Sequence, residues 1–294
     1  MKLSKNQFEL LNFMIANNDK NHTQRELATK LNLSVGTINS LVNDLSDYIQ
    51  DGIITDKGLE VMENYRVKRA VFICAGFGSR MVPITLNTPK PLVRVKGKRL
   101  IDNLLEACER AEIEEVIIVR GYLGEQFDQL LTRFPKIKFI QNDMYNETNN
   151  ISSAYLARHL LSNAYLFEGD LLLYNYDLVQ KYQYSSNYLG VKVDRTDDWC
   201  FESDRNIITK TKIGGTNVHH MFGISYWTEE DGKKLNDDIE KVFKSPGGRE
   251  RFWDLVPLDY CNKNYEVNIR ECTFDDITEI DTYGELKELD PLYI

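Results

Sequence analysis

The apolar run Ala70-Val71-Phe72-Ile73 leads directly into Cys74-Ala75-Gly76-Phe77-Gly78-Ser79-Arg80, and this junction limits the fold more than any other stretch. The run reads as a buried strand. Gly76 and Gly78 then let the backbone turn sharply and approach a ligand closely, since no Cβ intervenes. Successive N–H groups in such a turn form a concave anion site of the kind that holds phosphates. Arg80 and Lys90 add two cations within reach of the loop. The segment suits a triphosphate, with Ala75, Gly76, Gly78 and Ser79 as its cradle.

A bare Gly-x-Gly also fits an ordinary strand-ending turn. Here it sits in a longer pattern, Gly-x-Gly-Ser-Arg-x-x-Pro-x-Thr-x-x-x-Pro-Lys-Pro-Leu, running from Gly76 to Leu92. The pattern lacks the third glycine of a dinucleotide fingerprint and the Gly-Lys-Ser/Thr ending of a P-loop. It resembles the signature of the nucleotidyltransferase (pyrophosphorylase) superfamily.

At 294 residues the chain has material for one large or two modest domains. No apolar run approaches the roughly 18 residues of a membrane span, and the N-terminus opens on an amphipathic pattern rather than a signal core. A cytoplasmic location with no membrane partner is expected. Cys74, Cys108, Cys200, Cys261 and Cys272 are odd in number and contain no Cys-x-x-Cys pair, so they read as free thiols. A net charge of −9 argues against broad nucleic-acid affinity.

Residues 1–66 read as a small helical module. Phe8, Leu10, Leu11 and Met14 form an apolar helix face, and Thr23 with Glu26 forms a capping box. The stretch from Thr23 to Leu45 resembles a helix-turn-helix, with Leu27, Ala28 and Leu31 packing on Val35, Ile38 and Val42. Gly52–Gly58 would form a short wing and Leu59–Tyr65 a closing helix, giving a winged helix. The module holds seven Lys/Arg against nine Asp/Glu. The recognition helix of the helix-turn-helix, its second, offers Thr37, Asn39, Ser40 and Asn43 but no cation for phosphate or guanine. DNA binding is therefore the lesser alternative, and a dimerisation or regulatory role, consistent with a homodimer, the preferred one.

From Val67 to the C-terminus, apolar runs at Val71–Ile73, Val116–Val119, Phe139–Ile140 and Tyr165–Phe167 alternate with helical stretches at Leu100–Ala111, Gly124–Arg133 and Ser152–Leu161. This alternation predicts an α/β fold with a doubly wound, mixed but mostly parallel sheet. Candidate site residues then fall at strand ends. Gly121-Tyr122 follows one strand. Asn149, Asn150 and Ser153 offer donors and acceptors, and Asn149-Asn150 equally suits a helix N-cap. Asp170 closes Tyr165-Leu-Phe-Glu-Gly-Asp, well placed to hold Mg2+ through carboxylate and phosphate oxygens. Asp281, in Ile277-Thr-Glu-Ile-Asp, would be the second ligand; Glu168 sits lower in its strand and is the weaker candidate.

Together, the Lys90 loop, Gly121-Tyr-Leu-x-Glu-Gln-Phe127, Asn142-Asp-x-Tyr145, Asn149-Asn150 and Glu-Ile-Asp281 resemble the bacterial CTP:phosphocholine cytidylyltransferases. The resemblance spans about Lys68 to the C-terminus. It implies CTP and phosphocholine as substrates, Mg2+ as cofactor, Lys90 and Arg80 as catalytic cations, and base recognition at Gly121, Tyr122, Asn150 and Ser153. Trp199, Trp227 and Trp253 lie in the second half beside Asp197-Asp198 and Asp254. Three aromatic faces and a carboxylate can cage a trimethylammonium, worth ~2 kcal/mol when desolvated, and Lys192 would meet the acceptor phosphate. The departure is Glu168-Gly169-Asp170, where an Ala-containing variant is common in the phosphocholine enzymes. It keeps 2-aminoethylphosphonate or a sugar 1-phosphate open as acceptors. A reading of another class is a winged-helix regulator whose second domain senses a metabolite.

Overall fold

The computed structural model describes residues 2–17 and 22–293. The chain forms two compact units, Met1–Arg66 together with Tyr182–Tyr184, and Val67–Lys181 with Ser185–Ile294. Asp19 and Lys20 of the charge count lie outside the described residues.

In the first unit, α1 (Lys5–Ala16), α2 (Gln24–Lys30) and α3 (Val35–Asp44) precede β1 (Ile49–Gln50), β2 (Ile53–Ile54) and α4 (Asp56–Met62). Each helix starts on a hydroxyl cap: Ser4, Thr23, Ser34 and Thr55 accept from backbone N–H groups in the first turn. Such caps contribute about 1 kcal/mol each. Thr23 and Glu26 form the expected reciprocal box. Phe8, Leu10, Leu11 and Met14 pack with Leu27, Ala28 and Ile38 in one core. Val35 instead stays 44% exposed in the first turn of α3.

The wing is shifted from its expected place. Asp51 and Gly52, with φ of 51° and 77°, turn β1 into β2. Two positive φ angles suit the right-handed twist of a hairpin. Thr55 then caps α4, so Asp56–Gly58 are helical rather than part of the wing.

The second unit is built around β3 (Arg69–Cys74). Two short strands, β4 (Arg94–Val95) and β5 (Lys98–Arg99), lead into α5 (Leu100–Arg110). Then come β6 (Glu115–Arg120), β7 (Lys138–Gln141), α6 (Ile151–Ala157), β8 (Ala164–Glu168) and β9 (Leu171–Leu173). A long hairpin follows, β10 (Asn187–Asp204) and β11 (Ile207–Trp227). The chain ends with α7 (Glu229–Phe243), β12 (Asn268–Glu271), β13 (Ile277–Glu279) and α8 (Tyr283–Leu289). The segment Gly124–Thr132, expected as an α-helix, is a run of 3-10 turns.

The main sheet has the order β10-β12-β11-β8-β3-β6-β7. Strand β3 pairs in parallel with β6 on one side and β8 on the other. The chain thus builds outward through β6 and β7, then returns to add β8 across β3. That reversal opens a crevice beyond the carboxyl ends of β3 and β8. Alternation along β3 serves two cores. Ala70 and Phe72 face the side covered by Ile101, Leu104 and Leu105 of α5, and Val71 and Ile73 face Ile151 of α6 and Leu235 and Ile239 of α7. Burying a large apolar side chain such as Phe72 contributes roughly 1.5–3 kcal/mol.

Strand β10 pairs twice with β11, because residues after Asp198 fold back over it. Phe201 lies opposite both Thr211 and His219. Asn206, at the hairpin turn, exchanges hydrogen bonds with Ile269 of β12. This fold-back hangs Trp199 over the crevice.

Candidate active site

At the carboxyl end of β3 a cavity of about 520 Å3 is lined by Gly76, Gly78, Ser79, Arg80 and Lys90 on one wall and by Asn150, Glu168 and Asp170 at its base. Gly78 has a φ of 63°, and a Cβ there would stand 3.0 Å from Lys90 Cβ. The glycine therefore serves both the turn and the seating of the lysine. Thr85 donates to the Gly78 carbonyl at 2.8 Å, closing the loop from below.

Lys90 is buried, and its Nζ donates to Asp170 Oδ2 at 2.9 Å and Asp281 Oδ1 at 2.8 Å. Burial alone would lower its pKa, but the charges and hydrogen bonds of the two aspartates outweigh it and hold the ammonium charged. Arg80 reaches the same Asp281 oxygen at 2.7 Å while its side chain stays 66% exposed. Lys90 and Arg80, 10 residues apart in the loop, thus converge on an acid from the far end of the chain.

Carboxylate oxygens of Glu168, Asp170 and Glu279 lie within 4.8 Å of one another. This departs from the pair expected from the sequence. Asp281 is engaged by Lys90 and Arg80, whereas Glu168, judged too low in its strand, and Glu279, not singled out at all, share the cluster with Asp170. The cause is pairing of β9 with β13, which aligns Glu279 with Leu171 directly after Asp170. The signal for Glu279 was present in the period-two spacing that puts residues 279 and 281 on one face. Glu168 is fitted against Gly223, where a Cβ would come within 2.7 Å of it. Burial first, and then the charge of Asp170, raise both Glu168 and Glu279 well above the usual carboxylate range. Asp170 Oδ1 is buried with no hydrogen-bond partner. An orphaned carboxylate oxygen facing two further carboxylates is a donor set suited to a hard divalent cation.

The opposite wall is formed by Asp198, Trp199, Phe252 and Asp254. The Trp199 and Phe252 rings meet edge to face at 5.8 Å. Asp254 is only 5% exposed, its Oδ1 has no partner, and burial pushes its carboxyl up to about 6. The three-tryptophan cage does not form. Trp227 is fully buried with its Nε1 donating to Ser225 Oγ, and Trp253 is fully buried between Tyr188 and Trp227. Both rings belong to the core between the sheet and α7, where large aromatic area is best buried. Lys192 is exposed on β10 opposite His219, away from the cavity lining.

Of the residues expected at the base, Asn150 lines the cavity. Its Nδ2 donates to Glu168 and its Oδ1 accepts from the Trp253 N–H, so it ties the two walls together. Ser153 is buried and accepts from Asn142, outside the lining. Ala75 is buried and its carbonyl accepts from the Tyr122 N–H. Gly121 packs on Tyr145 with no room for a Cβ. Tyr122 donates its hydroxyl to the Thr85 and Leu86 carbonyls, and Phe77 stands 4.9 Å from Tyr122 and 5.3 Å from Tyr145. Gly121 and Tyr122 therefore support the loop wall, with Phe77 the exposed ring beside it.

Comparison with known proteins agrees with this geometry. Residues 69–190 match the Nucleotidyl transferase family, and residues 3–55 match a Winged helix-turn-helix DNA-binding family. A 2-aminoethylphosphonate cytidylyltransferase of Lancefieldella rimae is 34% identical over 79% of this chain and 95% of its own. A choline-phosphate cytidylyltransferase of Streptococcus pneumoniae is 31% identical over 76% of this chain and 97% of its own. The solved CTP:phosphocholine cytidylyltransferase of Streptococcus pneumoniae superposes with a TM-score of 0.71 at 29% identity, covering 78% of this chain and all of that one.

Proposed function

Because the chain belongs to the cytidylyltransferases of the nucleotidyl transferase family, we propose that it transfers CMP from CTP to a small phosphonate or phosphate bearing a primary ammonium, with 2-aminoethylphosphonate as the model acceptor. An acceptor oxygen attacks the α-phosphorus of CTP, the bond from that phosphorus to the bridging oxygen breaks, and pyrophosphate leaves. The attacking group is already largely ionised at neutral pH, as a phosphate with its second pKa near 6 is, so no general base is required. Catalysis then rests on positioning and on stabilising charge.

In this reading the loop N–H groups from Gly76 to Ser79 hold the triphosphate. Lys90, already charged and buried, meets the charge that develops as pyrophosphate departs, and Arg80 takes its outer end. The lining carries six carboxylates, Glu168, Asp170, Asp198, Asp254, Glu279 and Asp281, against two cations. A divalent cation would ionise the raised Glu168 and Glu279 and lower the cost of bringing a polyanion into such a cavity. Asp170, Glu168 and Glu279 would hold Mg2+, with Asp281 joining once its lysine partner turns to phosphate. Bound there, the ion would neutralise phosphate charge and orient the α-phosphate.

The observation that carries the acceptor is Asp254. It is a buried carboxylate that lines the cavity, as Asp198 does, and one of its oxygens has no hydrogen-bond partner. An ammonium N–H would satisfy that oxygen, whereas a trimethylammonium has no hydrogen to give. The open corner of Trp199 and Phe252 supports phosphocholine as the second reading, since two ring faces still attract a quaternary cation. Pyrophosphate release with CTP and Mg2+ tests the reaction across 2-aminoethylphosphonate, phosphoethanolamine, phosphocholine and glucose 1-phosphate. Turnover with glucose 1-phosphate alone would refute the ammonium acceptor, and no turnover with any of them would refute the transfer.

A further inference from the structure

We propose that the catalytic unit carries another anion site, for a nucleoside phosphate, in the cavity behind β9. This cavity, of about 590 Å3, lies between the β4–β5 turn, α5, the residues after β9 and the end of α8. None of its walls takes part in the chemistry above. Its charge runs against that of the chain: Lys96, Lys98 and Arg110 face Glu106 and Asp177, in a protein of net charge −9.

The polar wall is built in advance. Lys98 Nζ and the Tyr176 hydroxyl both donate to Glu106 Oε2, at 2.8 and 2.7 Å, and Arg133 pairs with the other oxygen at 2.6 Å. Burial would raise the Glu106 pKa, but these partners outweigh it and hold the carboxyl at about 2. Its charge is therefore permanent and already compensated. Arg110 and Lys96 are different: both are exposed and neither side chain has an ion-pair partner among the described residues, while the Lys96 N–H donates to Asp290 Oδ2 at 2.6 Å. The Arg110 guanidinium lies 4.4 Å over the Tyr176 ring, which fixes its position while leaving its donors free.

Two exposed cations beside a preformed polar wall offer an anion its partners, and planar guanidinium geometry suits phosphate. The cavity is much larger than a phosphate, and it adds an apolar floor and the Tyr174 ring, 49% exposed. A flat base on that ring, with its phosphates on Arg110 and Lys96, uses both features. The occupant would lie against β9, which starts one residue after Asp170 and pairs with the strand ending in Glu279. It is thus placed to report nucleotide level to the carboxylates of the catalytic cavity.

Calorimetric titration of the full chain with CTP and Mg2+, acceptor omitted, tests the site by stoichiometry. Wild type should bind two equivalents per chain. Arg110→Glu should weaken one of them at least tenfold, and Tyr174→Ala should weaken the same one about threefold to tenfold. Lys90→Ala should spare it and weaken the other. A single equivalent in wild type, or two unchanged equivalents in Arg110→Glu, would overturn the proposal. Because binding is read without turnover, failure of CMP transfer with every acceptor would leave this result standing.

Discussion

The two walls of the catalytic cavity are built in opposite ways. The loop wall comes from one contiguous stretch, Gly76 to Lys90, seated on a central parallel strand and closed by local contacts such as Thr85 to Gly78. The facing wall is assembled from Asp198 and Trp199 of the folded-back hairpin and from the segment around Asp254, more than 50 residues further on. The loop wall is dictated by backbone geometry, and few sequences can supply it. The facing wall is set by which side chain emerges from a twisted, bulged hairpin, so single substitutions can change what it accepts. Chemistry should reside in the first wall and selectivity in the second.

The largest effects should come from the loop wall and the acid at the cavity base beneath it. Lys90→Ala should lower kcat about 10²- to 10³-fold with a much smaller rise in the KM for CTP, because the ammonium matters most as pyrophosphate leaves. Asp170→Ala should lower turnover at least as far, with no recovery at saturating Mg2+. Steady-state kinetics check both, and a pure KM effect would erase the contrast between the walls.

Asp254→Asn should act on the other wall. The acceptor KM should rise roughly 10- to 100-fold, as expected when a buried charged partner is removed, while the KM for CTP stays within about twofold. The same residue gives a pH signature. Its folded-state pKa of about 6 lies above its ordinary 3.8. Between these values the folded state binds more protons than the unfolded one, so stability falls as pH rises from about 4 to 6 and is level above. That rise corresponds to about 3 kcal/mol at full expression. Asp254→Asn should therefore gain Tm over wild type at pH 7.5 and lose the gain near pH 4 by differential scanning fluorimetry. Wild-type acceptor KM should fall as pH rises through about 6.

Trp199→Ala should have a smaller effect, of about 1 kcal/mol, because its ring forms only one side of an open corner. The readout is the ratio of kcat/KM for phosphocholine to that for 2-aminoethylphosphonate, which should drop about fivefold. Smallest of all should be removal of residues 1–66. A chain starting at Val67 should keep kcat within about threefold, since no lining residue of the cavity precedes Ile73. Loss of activity in a folded product would give the winged helix a part in catalysis.

The contrast also explains what the sequence made legible. Strand β3, the glycine loop and Asp170 could be read because apolar run, turn and acid lie within short windows whose periodicity is local. Capping of α2 was legible for the same reason. Glu279 was missed because its place depends on β9 meeting β13, a pairing between residues about 100 apart that no window spans. The tryptophans were misplaced because composition gives proximity to acids along the chain but not direction. Trp253 turns into the core while its neighbours Phe252 and Asp254 face the cavity. The wing was displaced by the Asp51-Gly52 turn, a short hairpin signal outweighed by the more conspicuous Gly58.

One competition measures the central claim, that a carboxylate wall reads the acceptor while the loop wall performs the transfer. Wild-type protein is given CTP, Mg2+ and equal concentrations of 2-aminoethylphosphonate and phosphocholine, and the products are resolved by phosphorus NMR. The cytidylylated aminoethylphosphonate should form in at least tenfold excess, and Asp254→Asn should collapse this excess without changing the total by as much as Lys90→Ala does. Dominant CDP-choline formation, unchanged by the Asp254 substitution, would contradict it.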